Sequence, residues 1–306
     1  MPTATEFWGY SAQNLGPLTT TYTAPSSCAT ATDRVVYANA SDPVRWFGAP
    51  TCGPMTFGDC LPSGSSWDSV RQQTTEFVQG QYAYYSPGIA CPSGWRTVGT
   101  LAHDGDDGDK ASASGALATP KWDELIGLNP LHPTEFWLGI LEPSETLAFC
   151  CPSDYQADAY GQCVSTLGPT ESYTYSEMCL TYNDNRLVPI STWDGTTLGD
   201  NELISIASGT AEPRTSLDNH FLTATAVQEY WAIATYVPAV PLVYTESDKE
   251  NAEEDDNDDD NDDKDDEGGN NDASDDNAAS VTTPRQGFVS VLGITLGLLA
   301  GAGMLQ

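Results

Sequence analysis

TEFWLGILEPSETLAFCC, residues 134–151, is the longest apolar stretch before residue 280 that also carries cysteine, and its reading decides the fold. Two apolar runs flank Pro143-Ser144, so the stretch reads as two strands joined by a short turn. Neighbouring side chains on a strand point to opposite faces, which sends Cys150 and Cys151 to different partners. A bond between the two would be strained. CPSDYQADAYGQC, residues 151–163, is then placed to close on itself, leaving Cys150 to reach back to Cys91. Eight cysteines allow on the order of 100 pairings, so this arrangement has a geometric motive but the connectivity as a whole stays open at this point.

The remaining cysteines are Cys28, Cys52, Cys60 and Cys179. An even number set among Pro, Gly, Ser and aromatic residues reads as a disulfide framework formed in an oxidising compartment. No CxxC occurs, so the usual zinc pattern has no footing. Cys52 and Cys60 bracket the turn-forming GPMTFGD, and pairing between them would close a small local loop.

Working outward, residues 17–32 are rich in Thr, Ser, Ala and Pro, an extended lead-in suited to carrying O-glycans or to being pinned by Cys28. DRVVYA (33–38) reads as a strand, and the sequon Asn39-Ala40-Ser41 follows it, making Asn39 a candidate N-glycosylation site. SWDSVRQQTTEFVQ, from Ser66, has near-helical apolar spacing with Ser66 as N-cap and Gly80 as the stop. His103 opens DGDDGD (104–109), which alternates carboxylates with glycine. Oxygen ligands of this kind suit Ca²⁺, but the terminal Glu of an EF-hand is missing, so a solvated acidic loop with weak divalent binding is the plainer reading. CPSGW (91–95) and CPSDY (151–155) repeat one element, a cysteine, a turn and an aromatic, with CLPSGSSW (60–67) as a looser copy. Residues 172–245 continue with aromatic and β-branched runs. VQEYWAIA is ambiguous between helix and strand, and Pro238 and Pro241 mark VPAVPLVY as an edge or strap. Residues 1–245 therefore read as a mainly β, disulfide-stapled outer domain with few short helices.

Glu246 to Asp276 holds 18 acids against two lysines. So charged a segment buries too little to offset its ordering entropy, and residues 246–286 read as a disordered acidic spacer with an anchor site. Residues 287–306, GFVSVLGITLGLLAGAGMLQ, are uncharged and about long enough to cross a bilayer core. Asn277-Ala278-Ala279 supplies the small trio of a GPI-attachment site at Asn277, with Ser280 to Gly287 as its polar spacer and Phe288 to Gln306 as its tail. Asp272-Ala273-Ser274 is a second such trio. A retained transmembrane helix, pairing through Gly293, Gly297 and Gly301, is the alternative. Residues 1–16 lack the basic and apolar regions of a signal peptide.

The formal net charge of −33 disfavours nucleic acid and anionic headgroups as partners. No GxSxG or HExxH motif is present. NLGPLTTTYTAPSSC (14–28), YYSPGIACPSGW (84–95) and ETLAFCCPSDYQADAYGQC (145–163) together resemble a broad group of uncharacterised fungal cell-surface proteins. Such proteins have a cysteine-containing outer domain, a polar stalk and one membrane anchor. The resemblance implies a fungal source and a position at the plasma membrane or cell wall, and it implies no activity and no cofactor. The aspartate-rich stalk departs from the Ser/Thr-rich stalk usual there. The expectation is a non-enzymatic surface protein, structural or ligand-binding, with membrane and cell-wall glycan as its partners. The alternative is a secreted glycan-acting enzyme, for which the eight Trp and 14 Tyr would line a sugar groove beside paired carboxylates.

Overall fold

A computed structural model describes residues 1–30, 34–52, 55–73, 81–103, 111–119, 131–175, 177–182, 186–199, 203–207, 214–218 and 229–258. Its centre is a five-stranded antiparallel sheet in the order β4-β3-β17-β10-β9: β3 is Val35–Asn39, β4 Trp46–Gly48, β9 Gln156–Ala157, β10 Gln162–Pro169 and β17 Trp231–Pro238. A four-stranded antiparallel sheet runs β18 (Val240–Tyr244), β8 (Thr146–Pro152), β6 (Trp95–His103) and β7 (Ala111–Ala113). A third sheet pairs β1 (Glu6–Phe7) with β2 (Tyr10–Asn14), and β2 in parallel with β5 (Gln81–Tyr84). Just past β5, Tyr85 bridges to Leu242 and so joins this sheet to β18. Three two-stranded ribbons complete the strands among the described residues: β11 (Met178–Tyr182) with β16 (Arg214–Asp218), β12 (Arg186–Pro189) with β15 (Ile204–Ala207), and β13 (Thr192–Trp193) with β14 (Thr196–Thr197). The helices among the described residues are α1 (Gly64–Arg71), α2 (Pro133–Ile140) and α3 (Glu246–Asp258).

The larger sheets share one apolar core. Val36, Ala38, Val164, Ala234 and Tyr236 of the five-stranded sheet cluster with Leu101, Leu147, Phe149 and Leu242 of the four-stranded one. Alternate residues of the same central strands, Val35, Tyr37 and Ile233, belong to a second cluster with Met178 and, at its margin, Tyr173 and Tyr175. A strand covered on both faces needs a continuous apolar run rather than alternation, and VVYA in β3 is that run.

All eight cysteines are paired: Cys28–Cys60, Cys52–Cys179, Cys91–Cys150 and Cys151–Cys163. The adjacent Cys150 and Cys151 diverge as strand geometry requires, and Cys151–Cys163 staples β8 to β10 across the two sheets. The local Cys52–Cys60 loop does not form. Asp68 of α1 accepts the backbone N–H groups of Phe57 and Gly58 (both at 2.9 Å), which folds the turn at Cys60 toward Cys28.

The apolar run at 134–140 is a helix, not a strand. Pro133 sits at its first turn and the His132 ring nitrogen accepts the Thr134 N–H at 3.2 Å, a complete helix start. Phe136, Trp137 and Ile140 are buried, and Gly139 is there because the Phe7 ring occupies the space a β-carbon would need. α1 begins at Gly64 with Ser63 as N-cap, upstream of the start that Ser66 would set. It buries Trp67 and Val70 and ends at Arg71, while the expected continuation at 74–80 lies outside the described residues. Residues 231–234, half of the ambiguous VQEYWAIA (227–234), belong to strand β17 and sit centrally. Pro241 lies, as its sequence context suggests, on the end strand of a sheet: β18 ladders with β8 on one side and is bridged by Tyr85 alone on the other, where the Tyr85 N–H donates to the Pro241 carbonyl at 3.0 Å. The backbone groups of residues 241 and 243 face Tyr85, and the isolated bridge there makes no use of the N–H that proline lacks.

The acidic spacer is not disordered from its start, because α3 occupies 246–258. Thr245 and Asp248 form a reciprocal capping box: the Thr245 N–H donates to the Asp248 carboxylate at 2.7 Å and the Asp248 N–H to the Thr245 hydroxyl at 3.3 Å. Glu246 and Asp248 also suit the positive end of the helix dipole. Thr245→Ala removes this start, and helicity over 246–258 falls by about 1 kcal/mol of local stability, to be read by amide hydrogen exchange. Residues 259–306, with Asn277 and the apolar tail, lie outside the described residues. Among the described residues no helix is long and apolar enough to cross a membrane.

Candidate functional site

The repeated cysteine–turn–aromatic elements come together in space. β6 and β8 pair so that Trp95 lies opposite Pro152 and Arg96 opposite Cys151. Each element closes the same turn: the Trp95 N–H donates to the Pro92 carbonyl (2.9 Å) and the Tyr155 N–H to the Pro152 carbonyl (3.0 Å). In the first turn Gly94 takes φ 78°, a left-handed conformation that favours glycine. Asp154, at the matching place, has no positive φ. The turns are laced together, since Ser153 donates its N–H (3.2 Å) and its hydroxyl (2.9 Å) to the Gly94 carbonyl and Arg96 Nε donates to the Ser153 carbonyl at 3.0 Å. Cys91–Cys150 and Cys151–Cys163 anchor both at their first residue. The looser third copy behaves differently. Ser63 (φ 50°) leads into α1, and Trp67 is buried, stacked on Tyr85 with ring centroids 6.3 Å apart.

Trp95 and Tyr155 line one groove of about 790 Å³. Tyr173 and Tyr175, stacked 11° from parallel at 6.1 Å, line it too. All four rings are half-buried. The chain from Thr23 to Ser26, within the Thr/Ser/Pro lead-in, borders the groove beside Cys28–Cys60. The cross-strand neighbours Val35, Thr235 and Ser165 of β3, β17 and β10 contribute the sheet surface. Among the described residues the lining holds one base, Arg34, whose guanidinium lies 5.1 Å from the centre of the Phe57 ring, and one acid, Asp154. The volume lies within the usual range of ligand sites. The sequence singled out Trp95 and Tyr155 as covers for their turns but not Tyr173, Tyr175 or the exposed Leu167. The usable signal was the repeat itself; the two copies meet because one leads into β6 and the other ends β8, its antiparallel partner.

Two smaller cavities exist among the described residues. One, about 400 Å³, is lined by Trp67, Arg71, Gln81 and Tyr236, and Arg71 donates to the Tyr236 hydroxyl at 3.0 Å. The other, about 450 Å³, has the exposed Glu171 and Glu229 beside Trp231.

Near the edge of the five-stranded sheet, Asp158 sits between β9 and β10, 2% exposed. Its Oδ1 accepts the N–H groups of Tyr160 and Gln162, both at 3.1 Å, and its Oδ2 has no hydrogen-bond partner among the described residues. Burial pushes its carboxyl up to about 7; the two backbone bonds oppose this, and Asp42 adds repulsion. Burial likewise raises the phenol of Tyr37 to about 12, while its hydroxyl donates to the Glu177 carbonyl at 2.8 Å.

Asn39, the sequon residue, ends β3 and accepts both the Ser41 N–H (2.8 Å) and the Ser41 hydroxyl (2.7 Å). His103 Nε2 lies 3.1 Å from the Leu141 carbonyl, and the acidic loop 104–109 falls outside the described residues. Among the described residues no group of three or more His, Cys, Asp or Glu is arranged to hold a metal ion. Comparison of the chain with protein-family models, with curated proteins and with solved structures finds no match.

Proposed function

We propose that the chain is a non-enzymatic cell-surface protein that presents its disulfide-stapled β domain outward, tethered through the acidic spacer and the apolar C-terminal segment, and that the domain binds a ligand. The observation that carries the reading is the complete pairing of eight cysteines into four disulfides, a state that persists in secreted and surface proteins and rarely in the cytosol. The tail supports a GPI attachment at Asn277, and the sequon at Asn39 ends an ordered strand beside an exposed turn, accessible to a glycan. The resemblance to fungal surface proteins favours a plasma membrane or wall location.

The test is to treat intact cells displaying the tagged full chain with a phosphatidylinositol-specific phospholipase. Release of the outer domain is expected, and Asn277→Pro abolishes it. Protein that stays in the membrane fraction with its C-terminus intact overturns the lipid anchor in favour of a retained helix. Protein found only in the reducing cytosol overturns the whole reading. Glycosidase treatment of the released protein lowers its apparent mass, and Asn39→Gln removes that shift.

A second reading, glycan hydrolysis, is favoured by one feature: Glu171 and Glu229 line one cavity beside Trp231. Reducing-sugar release that is lost on Glu171→Gln or Glu229→Gln would establish it.

A further inference from the structure

We infer that the groove between the paired Cys-Pro-Ser turns and the Tyr173–Tyr175 stack binds a neutral polysaccharide chain. The inference rests on the reading of the domain as a ligand-binding surface module and names its ligand class.

Three observations carry it. First, Trp95, Tyr155, Tyr173 and Tyr175 are half-buried, so each ring is held by packing at one side and open at another. A pyranose ring has an apolar face of C–H groups that fits flat aromatic surfaces, and Trp and Tyr add a polar tip for the hydroxyl rim. These rings are positioned in advance. Trp95 and Tyr155 each end a closed turn anchored by a disulfide, so little side-chain or loop entropy is lost on binding.

Second, the polar groups along the groove are mostly hydroxyls. Ser93 borders it from the first turn, while Ser165 and Thr235 lie cross-strand on β10 and β17. A hydroxyl both donates and accepts, as sugar hydroxyls do, so such a lining matches a ligand whose groups are also both.

Third, the described lining of the groove carries one base and one acid in a chain of net charge −33. It offers no cluster of cations to hold a carboxylated or sulfated chain, and the surrounding field repels one. A proline-rich peptide would also suit aromatic rings. The hydroxyl-bearing sheet surface favours the saccharide.

The test uses the full chain secreted in oxidised form and run in native gels containing β-1,3-glucan, chitin derivative, mannan or a polyuronate. Retardation by at least one neutral polysaccharide is expected, with none by the polyuronate. Trp95→Ala weakens the interaction roughly tenfold or more, the effect of removing a central aromatic anchor. Because Trp95 also packs on the core, Ser93→Arg is the companion variant. Ser93 is exposed, its backbone N–H to the Tyr22 carbonyl stays, and its turn position accepts most residues. Ser93→Arg therefore fills the groove mouth while the melting temperature holds, and retardation is lost. No retardation by any neutral polysaccharide overturns the proposal, as does retardation that Ser93→Arg leaves unchanged. Displacement by a polyproline peptide, or tighter binding of the polyuronate, overturns it in favour of those ligands. Surface location is scored separately by phospholipase release, so loss of the glycan reading leaves the tethering result intact, and the reverse.

Discussion

Cys52→Ala with Cys179→Ala is expected to lower the stability of the oxidised protein by about 4 kcal/mol and its melting temperature by roughly 10 °C. This disulfide has the longest sequence separation of the four, 127 residues, so its removal returns the most freedom to the unfolded chain. It also holds a layer in place. Met178 packs with Val35, Tyr37 and Ile233 on the outer face of the central sheet, and its side chain fills the space where a β-carbon on Gly48 would be. The Cys179 N–H donates to the Ala49 carbonyl at 2.8 Å, so the staple and the hydrogen bond act on the same contact. Releasing it uncovers an apolar surface and frees the segment carrying Tyr173 and Tyr175. Glycan retardation should therefore weaken in the same variant. Urea titration of wild type and double variant measures the first effect, and a difference below about 1 kcal/mol would show that the layer holds itself.

The second large effect is a pH dependence centred on Asp158. Its folded-state carboxyl is raised to about 7, against roughly 4 in an unfolded chain. Below about pH 4 both states are protonated and the group is neutral toward stability. As the pH rises from there, the unfolded chain releases its proton while the folded one keeps it, so stability falls until about pH 7. A carboxyl held so far above its ordinary range costs on the order of 4 kcal/mol once the pH has passed it. Asp158→Asn keeps an oxygen for the N–H groups of Tyr160 and Gln162 but cannot ionise. The variant should gain a few kcal/mol at about pH 8 and nothing at about pH 4. The many other carboxylates titrate in both proteins, so the difference between the two urea midpoints isolates this one. A variant less stable than wild type at the higher pH would sink the argument.

Much of the β framework could be read from the chain because its signals are local. β-branched and aromatic runs bounded by Gly and Pro became strands. The divergence of Cys150 and Cys151 followed from strand geometry, and the structure pairs them with Cys91 and Cys163, the partners suggested from their positions in the chain. The misreadings came where a local signal meets a distant partner. TEFWLGIL has the composition of a buried strand, and only the His132-Pro133 start marks a helix. Cys52 lies close to Cys60 in sequence yet bonds to Cys179, 127 residues away, while Cys60 bonds to Cys28. Pro241 does lie on an end strand of its sheet, but the sequence could not show that Tyr85 bridges the outer side of that strand. The groove was half legible. The repeat named Trp95 and Tyr155, whereas Tyr173 and Tyr175 reach it through the fold of a later segment.

β18 is the strand by which the chain leaves the domain toward its acidic extension; it is the end strand of its sheet, laddered to β8 on one side and bridged by Tyr85 on the other. Tension drawn along it from the C-terminal side would load the bonds from Val240 to Tyr244 together rather than peel them one at a time. Upstream it runs through Ala239 into β17, the middle of the other sheet, whose neighbour β10 is covalently bonded to β8. A pull at the exit is thus spread in shear across both sheets, and the four-stranded sheet cannot part from β10 while the Cys151–Cys163 bond is intact. The arrangement suits a domain that has to stay folded while something tugs on what it holds.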